Sequence, residues 1–151
     1  MAVPTGSGTE TLHAHHFEDL SSATPQSLIV GVQHHIYTVL SIICYCTSIN
    51  ASSNKAICWI GGYDLVGGTS ARDIHIFQQP MQVGNTFVWN DKFSFNGYEP
   101  ADQGANLTAA GQIAVAAQAS NPVVSQTLSM STGHADTDLQ VTVTYIDQDW
   151  S

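Results

Sequence analysis

The stretch Phe77-Gln-Gln-Pro-Met-Gln-Val-Gly-Asn-Thr-Phe-Val-Trp-Asn-Asp-Lys-Phe-Ser-Phe95 sets two apolar runs on either side of Val83-Gly84-Asn85. It reads as strand, turn, strand. Gly84 can take the positive φ that a tight connection needs, and Asn85 tolerates it. Phe87, Trp89, Phe93 and Phe95 share one parity, so on a pleated strand they line one face. Four large rings on one face call for a second sheet over them. Asp91 has the same parity and should not face a core unpaired, which predicts a bend at Asn90 and Asp91.

Working outward, the same grammar recurs. Residues 33–47 are rich in Ile, Val, Tyr and Thr and are long enough for a central strand; a polar turn at 50–54 and a second strand at 55–63 follow. A glycine-rich loop at 67–72 leads to a strand at 73–79, which Pro80 should end or confine to an edge, because proline donates nothing to a ladder. Near the C-terminus Leu139, Val141, Val143 and Tyr145 alternate with Gln140, Thr142 and Thr144, the pattern of a half-buried strand. Between residues 99 and 121 the period changes. Leu107, Ala110, Ile113, Ala114 and Ala117 recur at helical spacing, with Asn106 as a cap and Asn121-Pro122 as a stop, so a short inserted helix is expected. Gly111 weakens it, and a strand through Ile113 to Ala117 is the alternative. Residues 123–130 read as a further short strand.

Residues 1–27 show no sustained period and are rich in Ser, Thr, Gly and Pro, which marks an N-terminal arm. Within it His13 to Leu20 is amphipathic, with Phe17 and Leu20 three apart, as on one side of a helical turn. The organisation expected is an arm over 1–27 and a β-sandwich domain over 28–151 carrying the insert at about 99–121.

Charge excludes some functions. Lys55, Arg72 and Lys92 are the only cationic side chains against twelve carboxylates, a formal charge of −9. Three scattered cations make no basic face for phosphates, so nucleic acid is not expected as a partner. A surface of Ser, Thr, Asn, Gln, Ala and Gly suits burial against other protein, since few charges need desolvating. The longest apolar run, residues 36–46, is far short of the roughly twenty residues that span a bilayer, so no membrane partner is expected. The first ten residues lack a basic n-region and an apolar h-region, so no export signal is expected there. An odd count of three cysteines fits a chain made and kept in a reducing cytoplasm. Cys44 and Cys46 fall on one strand face and read as core fillers.

Candidates for chemistry are weak. His13, His15 and His16, with Glu18 and Asp19, are ligand types without a zinc-site spacing. His34 and His35 head a strand and point to opposite faces, so they cannot share an ion. There is no Gly-x-Ser-x-Gly elbow, and the glycine pairs at 61–62 and 67–68 lack the Gly-Lys-Ser/Thr ending of a phosphate loop. Asp136 with Asp138, and Asp147 with Asp149, supply too few oxygens locally for calcium. No catalytic residue, cofactor or metal is therefore expected. Phe17 and Leu20 in the arm and Trp150 at the C-terminus are the residues expected to contact a partner, because large apolar groups at chain ends need cover.

The run His35-Ile-Tyr-Thr-Val, the Gln79-Pro80 ahead of Asn85-Thr-Phe-Val-Trp-Asn-Asp-Lys-Phe, Asn96-Gly-Tyr-Glu, and the closing Val143-Thr-Tyr-Ile-Asp-Gln-Asp-Trp resemble small β-sandwich structural proteins of tailed bacteriophages. The resemblance covers residues 34 onward and is weakest at 100–125. It implies an all-β, antiparallel sandwich of jelly-roll type without catalytic residues, made in the host cytoplasm and placed on the capsid surface. The implied role is a head decoration or cement protein, a homo-oligomer, expected as a trimer, that bridges major capsid protein or other virion subunits. Neck or tail adaptors are the alternative. Outside the virion, a carbohydrate-binding sandwich would present Trp59, Trp89 and Tyr98 together, and a metal enzyme on a double-stranded β-helix would need three ligands converging inside it.

Overall fold

The alternation at residues 139–145 is the backbone of the architecture. In a computed structural model, which describes residues 9–63, 72–98 and 125–150, this stretch lies within β9 (Asp138–Asp149), whose Leu139, Val141, Val143 and Tyr145 are buried while the residues between them are half-buried. β9 is flanked by β1 (Glu10–Leu20) and β3 (His35–Ser48), and β6 (Thr86–Trp89) and β7 (Phe93–Asn96) pair in turn with the far side of β3. The second sheet runs β2 (Gln26–Val30), β8 (Thr127–Thr132), β4 (Lys55–Tyr63), β5 (Arg72–Pro80). All pairings are antiparallel. The described chain is thus all-β, two sheets sharing one core to which β1, β2, β3, β4, β5, β7, β8 and β9 all contribute buried side chains.

The opening stretch is strand, turn, strand, but not a hairpin. β5 closes one edge of the second sheet, whereas β6 begins an edge of the first, so the Val83-Gly84 turn carries the chain from one sheet to the other. Gly84 adopts φ +83, and the turn is pinned to β3 by Gly84 N–H to Cys46 O (2.9 Å) and Cys46 N–H to Asn85 O (3.1 Å). The covering of the aromatic face follows. Phe77 of the second sheet meets Phe87 edge-on (5.0 Å) and Trp89 stacked (5.6 Å), closing that side of the core. Pro80 ends the edge strand β5, as proline chemistry requires. The bend at Asn90 and Asp91 separates β6 from β7, and Asp91 is exposed.

The helical turn expected at His13–Leu20 is a strand instead. The governing period is two: His13 and Phe17 are half-buried while Leu12, Ala14 and His16 are exposed, and each is hydrogen-bonded in register with β9. The spacing of Phe17 and Leu20 has another cause. Phe17 pairs with Val141 and Leu20 with Leu139, so three residues of β1 span two of β9, a bulge, with Asp19 at φ 54. The bulge reverses parity, and both side chains face inward. Residues 10–27, expected as an arm, therefore supply β1 and the start of β2, so the boundary at 27 does not divide the described chain. Leu20 is fully buried in the chain's own core. The strand expected at 123–130 runs as β8, Thr127–Thr132. The insert expected at 99–121, with its helix, lies outside the described residues.

Cys44, Cys46 and Cys58 are all free and buried, as core fillers. Burial pushes the Cys44 thiol up to about 12; burial, and then the nearby Cys44, push Cys58 higher still. We expect no thiol to react with a chromogenic aromatic disulfide in the folded protein, and all three to react in denaturant; rapid native labelling would contradict this packing. The same burial sets an alkaline limit. Unfolded thiols ionise near the ordinary value of 9.0, while folded Cys44 holds its proton to about 12. Stability is therefore complete below pH 9 and falls as pH rises from 9 towards 12, by about 1.4 kcal/mol per pH unit per buried thiol. Denaturant titrations across that window check the slope, and alanine at Cys44 should lower it by that one thiol's share.

Candidate functional site

Where the inner face of the first sheet looks onto β2 of the second, polar rings replace aliphatic side chains. β1 contributes His13, His15 and Phe17, β9 contributes Tyr145 and Asp147, and β3 contributes His35 and Tyr37. Most of these line an open notch of about 390 Å³ whose other wall is Leu28, Ile29 and Val30 of β2. His13 lies directly opposite Tyr145 in the ladder and stacks on it at 5.2 Å; His15 stacks on the same ring at 5.8 Å. Tyr145 meets Tyr37 edge-on at 6.0 Å, and Tyr37 stacks on Phe95 at 5.3 Å. Rings thus run continuously from the edge strand to the core.

Behind the rings sits a clamp. His35 Nδ1 is 2.6 Å from Asp147 Oδ1, and its Nε2 lies 3.8 Å from Asp149 Oδ2. The Tyr37 hydroxyl accepts the Val32 N–H at 3.0 Å. Burial, aided by Asp147, raises the Tyr145 phenol; burial outweighs the Val32 hydrogen bond in raising Tyr37, so both phenols stay neutral near neutral pH. The His35 contacts tie the start of β3 to the end of β9. No cysteine lines the notch, and among the described residues no three His, Cys, Asp or Glu side chains are grouped to hold a metal ion.

The three residues expected to contact a partner are not brought together. Phe17 lines the notch, Leu20 belongs to the core, and Trp150 is 51% exposed, with its ring edge-on to His34 at 4.8 Å and its backbone N–H donated to the His34 carbonyl. His13, His15 and His16 also part company: the first two point into the notch, while His16 points outward and bonds Thr142 Oγ1 at 2.8 Å. A period of two, applied to His13-Ala-His15-His16-Phe17, would have found the inward pair. The His35–Asp147 contact spans 112 residues and leaves no local signal. A sugar platform is not assembled. Trp59 is on the outer side of β4 beside His75, whereas Trp89 is on the inner side against Phe77 with its indole nitrogen buried.

The class these observations define is an all-β protein of two antiparallel sheets. No protein-family model matches the chain, and no curated protein matches it. Among solved structures, a chain of the Bacillus endospore appendages, described as a novel family of disulfide-linked pili, aligns over 100% of this chain and 97% of its own length, at 13% identity and a TM-score of 0.43. That likeness is too distant to carry function to this chain.

Proposed function

We propose that this protein is a structural subunit of a tailed-phage virion, a sandwich of jelly-roll type that decorates and cements the head. The observation that carries the reading is the set of large apolar side chains left exposed. Leu12, Val30, Val32, Val83, Val88 and Trp150 are each about half or more exposed on a chain with very few cations. Such surface favours burial against other protein subunits over polar ligands. The mechanism is added buried area: each subunit bridges neighbours in the capsid lattice and raises the barrier to separating them under the pressure of a packaged genome. Trp150, fixed at its base by His34 yet exposed, is the strongest single contact for a lattice subunit.

The test is native mass and co-sedimentation with expanded capsid shells. A homo-oligomer, expected as a trimer, that binds shells and raises their disruption temperature supports the proposal. A chain without affinity for shells overturns it, and binding confined to portal or tail rings would move it to the neck or tail.

A further inference from the structure

The outward face of the first sheet is unusual for so acidic a chain. We infer that this face is a contact between two copies of the protein, packed sheet against sheet. This rests on the reading of the protein as an assembling subunit and names the surface it would use on itself.

The register defines the face. Reading across the strands, Leu12 of β1 lies beside Ile146 of β9, and Ile43 of β3 lies between Thr142 of β9 and Val88 of β6. Leu12 is 67% exposed, and Ile43, Tyr45 and Val88 also point into solvent. Serine and threonine hydroxyls fill the positions between these aliphatic groups. Among the described residues, the carboxylates of this face stand at its ends, Glu10 opposite Gln148 at one and Asp138 opposite Ser48, with Glu18 of β1, at the other; the rows between carry none.

Charge argues for a second copy as the occupant. Two chains of formal charge −9 repel at most approaches, because most surfaces bring carboxylates together. A face free of carboxylates in its centre lets identical anions meet with little repulsion and without desolvating ions. A basic partner would gain nothing from it. Shape agrees: Leu12, Leu40 and Ile146, with Glu10 at the rim, bound a notch of about 360 Å³, while Ile43, Val88 and Tyr45 project at the other end. A two-fold axis lying in the interface sets the projections of each copy against the notch of the other, the isologous arrangement. With strands about 4.8 Å apart and a rise of about 3.3 Å per residue, four strands by nine residues cover roughly 570 Å² per copy. A pair then buries roughly 1,100 Å², enough for a specific but reversible contact. In a trimeric assembly this two-fold contact would join neighbouring trimers.

Sedimentation velocity over a wide concentration range tests the face, with Ile43→Asp and Thr144→Glu as disrupting variants and Ile74→Asp on the other sheet as control. Circular dichroism establishes that each variant is folded. We expect reversible pairing, at least tenfold weaker in both face variants and unchanged in the control, and strengthened by added salt because salt screens the repulsion between copies. Pairing insensitive to both face variants, or a wild-type chain that never pairs, overturns the inference. Shell binding is read separately: pairing that survives in a protein without affinity for shells would leave this face standing and remove the cement reading.

Discussion

Alanine in place of Gly97 should lower stability by about 3 kcal/mol or more, among the largest effects of any single methyl group in this chain. Three chain segments cross at this point with only hydrogens between them. Gly31 N–H donates to Gln126 O (2.8 Å), Gln126 N–H to Gly97 O (2.9 Å), and Gly97 N–H to His35 O (2.8 Å). The Ser125 hydroxyl adds a bond to Gly31 O at 2.7 Å. This crossing joins the end of β2, the exit of β7 and the entry to β8, so it links the two sheets. A Cβ on Gly97 would collide with the Val32 carbonyl, and one on Gly31 with the carbonyls of Gly97 and Gln126. Backbone atoms cannot step aside as a side chain can. The contrast is Gly84, where a Cβ meets nothing and only the φ of +83 is at stake. Alanine there should cost about 1–2 kcal/mol. Urea titrations of the two variants decide the ordering; equal losses would mean that the crossing is looser than its hydrogen bonds indicate.

Truncating Leu20 to alanine should cost about 2–5 kcal/mol, the range for a buried leucine that leaves a cavity. Leu20 is 0% exposed, is paired in register with Leu139, and belongs to the shared core. Phe17, at the rim of the notch, should lose less on truncation, because its ring keeps contact with water and its removal opens no sealed void. Equilibrium denaturation of both variants tests this. Unchanged stability in Leu20→Ala, accompanied by weaker self-association, would restore Leu20 as a partner contact and contradict its place in the core.

The two leucine-bearing ends of the chain show what could and could not be read in advance. At residues 139–145 the alternation of apolar and hydroxyl side chains sets strand type, inner face and burial together, because burial on one face of a pleated strand is a local property with a period of two. At residues 13–20 the same period is present but interrupted. A bulge inserts one residue and reverses parity, so Phe17 and Leu20 acquire a spacing that imitates a helical turn. Nothing in the local composition distinguishes the two causes. Only the pairing of Leu20 with Leu139 does.

The candidate site was less legible than the fold. His13, His15 and Phe17 share a parity that a strand reading would have exposed, but their partner Tyr145 is set by the register of β1 against β9. The coupling of His35 to Asp147 and Asp149 depends on the register of β3 against β9. Earlier, each of these residues could be placed only as the end of a strand or as half of a carboxylate pair.

By itself, the sequence determined that the described chain from residue 33 onward would be built of strands, that aromatic rings near Phe87 would need a covering layer, that Pro80 would end a strand, and that three scattered cations make no basic face. Tertiary structure alone decided which strands share a sheet. The Val83-Gly84 turn is short enough for a hairpin, yet β5 and β6 part to opposite sheets because Phe77 must reach across to Phe87 and Trp89. Strand character follows from side chains a few residues apart. Partnership is settled by contacts between distant segments, and their register also determines whether a given apolar residue is core or free surface.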